Sequence, residues 1–150
     1  MATRVRLLGP GDADILAVVA EEVFDNPIRA DMTEEFLNDP RHHLAVALAD
    51  GAVVGFASAV RYVHPDKSPE LWINEVAVTP GHQRHGVAKA LLGLLFDVGR
   101  QHHCGEAWVL TNRSNTAARA LYVSAGGAEM EEDVMGFEFN LSAGPDRGPR

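Results

Sequence analysis

A single cysteine, Cys104, is the only thiol in the chain. It excludes an internal disulfide and makes a reducing cytoplasm the expected compartment. No apolar run approaches the length of a membrane span, and the N-terminus lacks the basic-then-apolar layout of a secretory leader, so no membrane partner is expected. Positive charge is scarce: 13 Lys and Arg against 21 Asp and Glu leave a net charge of −8, the opposite of what a nucleic-acid binder shows. An acidic surface draws in cations, and it also simply keeps a protein in solution. Internal repeats and linkers are missing. An HExxH pair and Cys/His clusters are missing too, so no metal is expected. The chain reads as one domain over 1–141, followed by a Gly- and Pro-rich tail over 142–150 expected to fray.

The informative stretch runs from Ile73 to Leu92. An apolar strand ending Val76-Ala77-Val78-Thr79-Pro80 is followed by a turn with Gly81 and Gly86, and then by a helix with Val87, Ala88, Leu91, Leu92, Leu94, Leu95 and Val98 as its apolar stripe. A helix start just after a strand offers unpaired N–H donors and a partial positive charge, which suit a phosphate. Two familiar phosphate loops are excluded by spacing. Gly81 and Gly86 are separated as in a Walker A loop, but Val87 and Ala88 stand where Lys and Ser/Thr are required. No G-x-G-x-x-G occurs, which removes the dinucleotide fingerprint.

Around this stretch the punctuation predicts a short strand over Thr3–Leu8, a break at Gly9-Pro10-Gly11, and a helix capped by Asp12 or Asp14 through Ile15, Leu16, Val18, Val19 and Val23. Thr33 is expected to cap a short helix over Glu34–Leu37, stopped by Pro40. Strands over His43–Ala49 and Ala52–Val60 are joined by Asp50-Gly51, a strong signal for a tight hairpin turn. Further strands are expected over Leu71–Val78, Ala107–Leu110 and Val134–Leu141. Helices are expected over Gly86–His102 and Ala117–Ala125, the latter closed by Gly126-Gly127. The order β-α-α-β-β-β-α-β-α-β describes a mixed α/β domain.

Gln83-Arg84-His85-Gly86-Val87-Ala88 matches Q/R-x-x-G-x-G/A, and Asn115-x-x-Ala118-x-x-Leu121-Tyr122-x-x-x-Gly126 matches N-x-x-A-x-x-x-Y-x-x-x-G. With the strand before and the helix after, the chain resembles the GNAT superfamily of acyl-CoA-dependent N-acetyltransferases over all but its tail. The resemblance implies a central, mostly antiparallel mixed sheet of six to seven strands flanked by about four helices. It implies acetyl-CoA as donor, no metal, and a homodimer. Gln83, Arg84, His85, Gly86, Val87 and Ala88 would then hold the pyrophosphate, with Ala88 an accepted variant of the family's second glycine. The main chain of Val76, Ala77 and Val78 would meet the pantetheine arm, and the Val76 amide would polarise the thioester carbonyl. Asn115, Ala118 and Tyr122 complete the cofactor side. Arg84 is equally read as a solvated surface charge, and Asn115 as a plain helix cap.

Acetyl transfer needs a base for the amine and a proton for the departing thiolate. With a period of two, Leu71, Ile73, Glu75 and Ala77 share one strand face, so Glu75 is expected to be partly desolvated with its pKa raised. Its plain reading is a half-buried, ion-paired Glu; the family resemblance makes it the general base. Tyr122 is either a core aromatic or, by the motif, the general acid at sulfur. Cys104, beside His102 and His103, reads as a small buried hydrophobe rather than a nucleophile. These histidines suit a helix C-terminus, and the His82/His85 pair lacks the company a metal needs.

Acidic residues that would border an acceptor are Asp25, Asp31, Glu132 and Asp133, together with Glu75. Phe24-Asp25-Asn26-Pro27, Gly51–Gly55 and Glu131-Glu132-Asp133-Val134-Met135-Gly136-Phe137-Glu138 are similar to the GNAT-type aminoglycoside 3-N-acetyltransferases, which implies an antibiotic-resistance type of acceptor. That group has Asp where Glu75 stands and His where Gly136 stands. A polyamine or protein amino group as acceptor, and a non-catalytic acyl-CoA sensor, are the competing readings.

Overall fold

The computed structural model describes residues 2–142, so all but the first residue of the expected 142–150 tail lies outside the described residues. Five strands, β1 (Arg4–Leu8), β2 (His42–Ala49), β3 (Ala52–Tyr62), β4 (Glu70–Val78) and β5 (Glu106–Trp108), form one sheet in sequential order. The first four are antiparallel to their neighbours, and β4 runs parallel to β5. Three α-helices accompany them: α1 (Ala30–Asn38), α2 (Val87–Gln101) and α3 (Thr116–Ser124). The mixed, mostly antiparallel sheet is as expected, with five strands in place of six to seven and three α-helices in place of four.

Asp50 and Gly51 both take positive φ, 51° and 78°, as a two-residue hairpin with strand-matching twist requires. Helix α2 lies on one face of the sheet. Its Leu91, Leu92 and Leu95 are fully buried against Leu71, Ile73, Ala57 and Ala59, each worth about 1.5–3 kcal/mol of transfer free energy. The other face is covered over β1–β3 by α1, a 3-10 turn, Ala13–Ala17, and the segment between them, which pack Leu37, Leu16 and Val23 against Leu44, Val46 and Phe56.

That 3-10 turn replaces the expected first helix. Asp12 does not cap it; its carboxylate accepts from the Gly9 N–H at 2.8 Å and closes the preceding turn. After Ala17 the backbone leaves the helical path because the edge of β3 recruits it: Val53 N–H donates to the Val18 carbonyl at 2.9 Å, and Ala20 N–H to the Val53 carbonyl at 2.8 Å. Thr33 sits inside α1, its N–H bonded to the Arg29 carbonyl, and is not its cap.

The expected last strand, Val134–Leu141, is irregular and exposed, with Phe137 75% and Phe139 77% accessible. Beside it β5 is only three residues long and offers little ladder to extend. Helix α3 ends as anticipated. Gly126 N–H donates to the Val123 carbonyl and Gly127 N–H to the Tyr122 carbonyl at 2.8 Å, a Schellman arrangement with Gly126 at φ 98°.

Because an L side chain in that left-handed region costs about 1–2 kcal/mol, Gly126→Ala is expected to lower the melting temperature by roughly 2–8 °C at about 2–4 °C per kcal/mol. Scanning calorimetry measures this directly. An unchanged melting temperature would show that the motif contributes nothing.

Candidate active site

Strand β4 does not alternate evenly. Ser58 of β3 pairs with Glu75, but Ala59 pairs with Ile73, so Asn74 is an extra residue and the strand carries a β-bulge. Before it, Leu71 and Ile73 face α2; after it, Val76 and Val78 face α2, and Ala77 packs on the opposite core. Glu75 therefore does not share a face with Leu71 and Ile73. It stands on the far side, within electrostatic reach of Asp25. Glu75 is exposed, yet its carboxyl is pushed above the usual range, first by local desolvation and then by the Asp25 carboxylate. Of the expected acceptor-side acids, Asp25 is thus brought to Glu75.

The others are not. Asp31 is held by Arg29 in a two-pronged pair, with Nη2 to Oδ2 at 2.6 Å and Nε to Oδ1 at 3.1 Å. Glu132 and Asp133 lie on the exposed stretch after α3 and form no hydrogen bond or ion pair among the described residues.

Strand β5 accompanies β4 only as far as Trp72, opposite Trp108. From Ile73 onward β4 has β3 on one side and, among the described residues, no strand on the other. Val76, Ala77 and Val78 lie on this half-open segment, as an extended ligand arm requires. Beyond it a 3-10 turn, Pro80–His82, leads into a loop braced by the Gln83 side chain, which donates to the Val78 carbonyl at 2.9 Å. Arg84 and Gly86 adopt left-handed φ of 65° and 78°. Such conformations turn successive N–H groups toward a common point.

Gly86 is the N-cap of α2, which has no side-chain cap and no acid in its first turn. The first intrahelical bond is Ala90 N–H to the Gly86 carbonyl, so the amides of Val87, Ala88 and Lys89 have no partner within the helix. Arg84, His85 and Gly86 are exposed. An uncapped N-terminus with a lysine in its first turn fits an anion; α3, by contrast, is capped by Asn115 Oδ1 accepting from Ala118 N–H at 3.0 Å.

Tyr122 and Leu121 of α3 pack against the core on the α2 side of the sheet, as Val76 and Val78 do. Burial pushes the Tyr122 phenol up, so it stays protonated. Glu75 and Tyr122 are consequently on opposite sides of the sheet. Burial also raises the Cys104 thiol, and the side chain packs on the core, which makes it a poor nucleophile. His43 is pushed down to about 4, chiefly by burial and then by Arg61, and stacks on His102. Among the described residues no group of three His, Cys, Asp or Glu is placed to hold a metal ion, and no helix is long and apolar enough to cross a membrane.

Two participants were not anticipated. Thr79, buried at the end of β4, donates through its hydroxyl to the Glu21 carbonyl at 2.8 Å and so ties the Asp25 loop to the cofactor-side strand. Ser58, opposite Glu75, is 6% exposed, and its Oγ has no hydrogen-bond partner. The polar pair Asn74-Glu75 inside an apolar strand was the one signal in the sequence for the bulge that places Ser58 and Glu75 together.

A half-open strand, an uncapped helix start beyond it and a perturbed acid across it form a candidate site suited to an extended ligand with an anionic end. The sequence profile of the Acetyltransferase (GNAT) family matches residues 14–126, and the chain belongs to that family and is an acyltransferase. It is similar to aminoglycoside N(6')-acetyltransferase type 1 of Salmonella typhimurium, 35% identical over 99 residues covering 62% of this chain and 68% of that protein. An uncharacterized N-acetyltransferase of Mycobacterium tuberculosis is 27% identical over 132 residues, 77% of this chain and 82% of that one.

Among solved structures, an aminoglycoside acetyltransferase from an uncultured soil metagenomic sample has a TM-score of 0.78 at 21% identity, covering 93% of this chain and 96% of its own. Aminoglycoside N-acetyltransferase AAC(6')-Iy in complex with CoA has a TM-score of 0.73 at 24% identity, covering 91% and 95%. At these identities the two structures bear on the fold.

The Asp25 carboxylate raises the Glu75 pKa, so Asp25→Asn is expected to move the Glu75 titration to lower pH. The carboxyl carbon shift of Glu75 followed by NMR against pH reads this. A midpoint that stays put would show that the two groups do not face each other.

Proposed function

We propose that the chain transfers the acetyl group of acetyl-CoA to an amine of a small polycation of the aminoglycoside type, with Glu75 as general base and Tyr122 as general acid. The observation that carries this reading is the half-open segment of β4, which leads to an uncapped helix start at one end and carries Glu75 on the face away from α2. Acetyl-CoA supplies an acyl group already activated as a thioester. The amides of Val87, Ala88 and Lys89 and the left-handed turn at Arg84 and Gly86 are suited to hold its diphosphate. Val76 and Val78 present main chain to its arm.

Glu75 takes the proton from the acceptor nitrogen, and its raised pKa brings it nearer to a useful base strength at neutral pH. Tyr122, kept protonated by burial, holds a proton on the other side for the departing sulfur. The charge of −8 and the Asp25–Glu75 pair favour a cationic acceptor over a neutral one. Which nitrogen is modified is a finer matter. Local motifs resemble 3-N enzymes, whereas the Salmonella relative carries N(6') in its name. NMR of the acetylated product identifies the position.

Thiol release from acetyl-CoA against aminoglycosides, polyamines and peptides tests the reading. Turnover confined to peptides would favour a protein acceptor, and CoA binding without any turnover would favour a sensor. Glu75→Gln is expected to lower kcat by about 10²–10⁴-fold with CoA affinity unchanged. Gly86→Glu, which strains a left-handed position and adds like charge at the phosphates, is expected to abolish CoA binding in calorimetry. Full rate in Glu75→Gln at every pH would remove Glu75 as the base.

A further inference from the structure

The face of the sheet that carries Glu75 continues past it into a region that neither core covers. Along β3 and β4 the paired residues on this face are Ser58 and Glu75, then Val60 and Trp72, then Tyr62 and Glu70. Strand β5 adds Trp108 opposite Trp72, and Glu106 opposite Glu70. Tyr62, Trp72 and Trp108 belong to neither hydrophobic core, and the helix packed on β4 and β5, α2, is on the other side.

The rings are nevertheless fixed in place. Trp72 and Trp108 stack with centroids 5.6 Å apart and planes 12° from parallel. Trp108 Nε1 donates to Tyr62 Oη at 2.6 Å, and Tyr62 Oη donates to Glu70 Oε1 at 3.2 Å. Half-buried aromatic rings held rigid by side-chain hydrogen bonds form a contact surface with little entropy left to lose on binding.

Charge at the far end of this floor is of one dominant sign. Glu70 and Glu106 sit directly opposite each other on adjacent strands, an arrangement that costs energy unless a cation intervenes. His64 Nε2 lies 2.9 Å from Glu70 Oε2, and Lys67 Nζ, itself exposed, lies 4.0 Å from the same oxygen. No basic group is paired with Glu106 among the described residues. At the near end stand Glu75 and Asp25. Tyr62 and Ser58, the β3 partners of Glu70 and Glu75, are four residues apart, so the two acidic ends are separated by about 13 Å at ~3.3 Å per residue.

We propose that this Tyr62–Trp72–Trp108 floor is the acceptor subsite, and that it selects a ring-built polycation with ammonium groups at both ends. The apolar face of an amino-sugar ring rests on the indoles, a distal ammonium is held between Glu70 and Glu106, and the reacting nitrogen reaches Glu75. A one-amine acceptor cannot span the two acidic ends. A linear polyamine spans them but leaves the ring surface uncovered. The proposal rests on the acetyltransferase reading for its reacting end only; the binding itself does not require turnover.

Calorimetric titration of the full chain with neamine, with spermidine as the ringless comparison, tests it. Trp72→Leu and Glu70→Gln are each expected to weaken neamine binding at least tenfold with CoA affinity within twofold of wild type, and Trp72→Leu is expected to weaken spermidine much less than neamine. Neamine affinity unchanged in both variants overturns the proposal, as does an equal loss for neamine and spermidine in Trp72→Leu. Wild-type chain that binds neamine through Trp72 yet releases no thiol from acetyl-CoA keeps the subsite and removes the acetyl-transfer reading. Undiminished kcat/KM for neamine in both variants does the reverse.

Discussion

Between Ile73 and Glu75 the alternation of β4 is broken, because Asn74 has no counterpart on β3. Much of the site's arrangement follows from that insertion. Without it, Glu75 would point at α2 among Leu91 and Leu95, and a carboxylate there would be desolvated with no partner. With it, Glu75 emerges on the solvent side within electrostatic reach of Asp25, while Val76 and Val78 keep the α2 face dry. The same strand loses β5 as a neighbour just beyond Trp72. An extra residue and a missing partner at adjacent points give one segment two differently furnished sides and an open edge.

The loop after β4 shows a related trade. A helix that started with Ser or Asp and carried an acid in its first turn would be more stable by about 1 kcal/mol. Helix α2 has neither, and it begins from two left-handed residues, one of them Arg84. Its secure attachment comes from elsewhere, from Leu91, Leu92 and Leu95 against the sheet. Burial along the helix body tolerates an unsatisfied start, and that start leaves the amides of Val87, Ala88 and Lys89 free to meet an anion. Thr79 joins this end to the Glu21 carbonyl, so the loop that carries Asp25 and the strand that carries Glu75 form one mechanical unit.

Much of this was legible in the chain. Asp50-Gly51, Gly126-Gly127 and the Gln83–Ala88 run are local chemistry, decided by φ and by hydrogen bonds within a few residues, and they fold as read. What was not legible is non-local. The stretch Val18–Ala20 has helical periodicity but is taken by the Val53 backbone. Period-two counting put Glu75 on the wrong face because a bulge shifts every later residue by one. The aromatic floor escaped notice because Tyr62, Trp72 and Trp108 meet only through strand register, the first and the last being 46 positions apart. Of the acids that composition made conspicuous, Asp31 is held by Arg29, and Glu132 and Asp133 stand exposed.

Met135, Phe137, Phe139 and Leu141 fall on every second residue of one exposed stretch, and each is at least 75% accessible. A greasy ribbon of this kind is the raw material of edge-to-edge pairing between molecules. What keeps such ribbons apart is the mutual repulsion of particles that each carry −8. That repulsion reaches only about 8 Å at physiological ionic strength and about 3 Å in molar salt. Added electrolyte therefore lowers that barrier, and kosmotropic salts also strengthen the apolar attraction behind it.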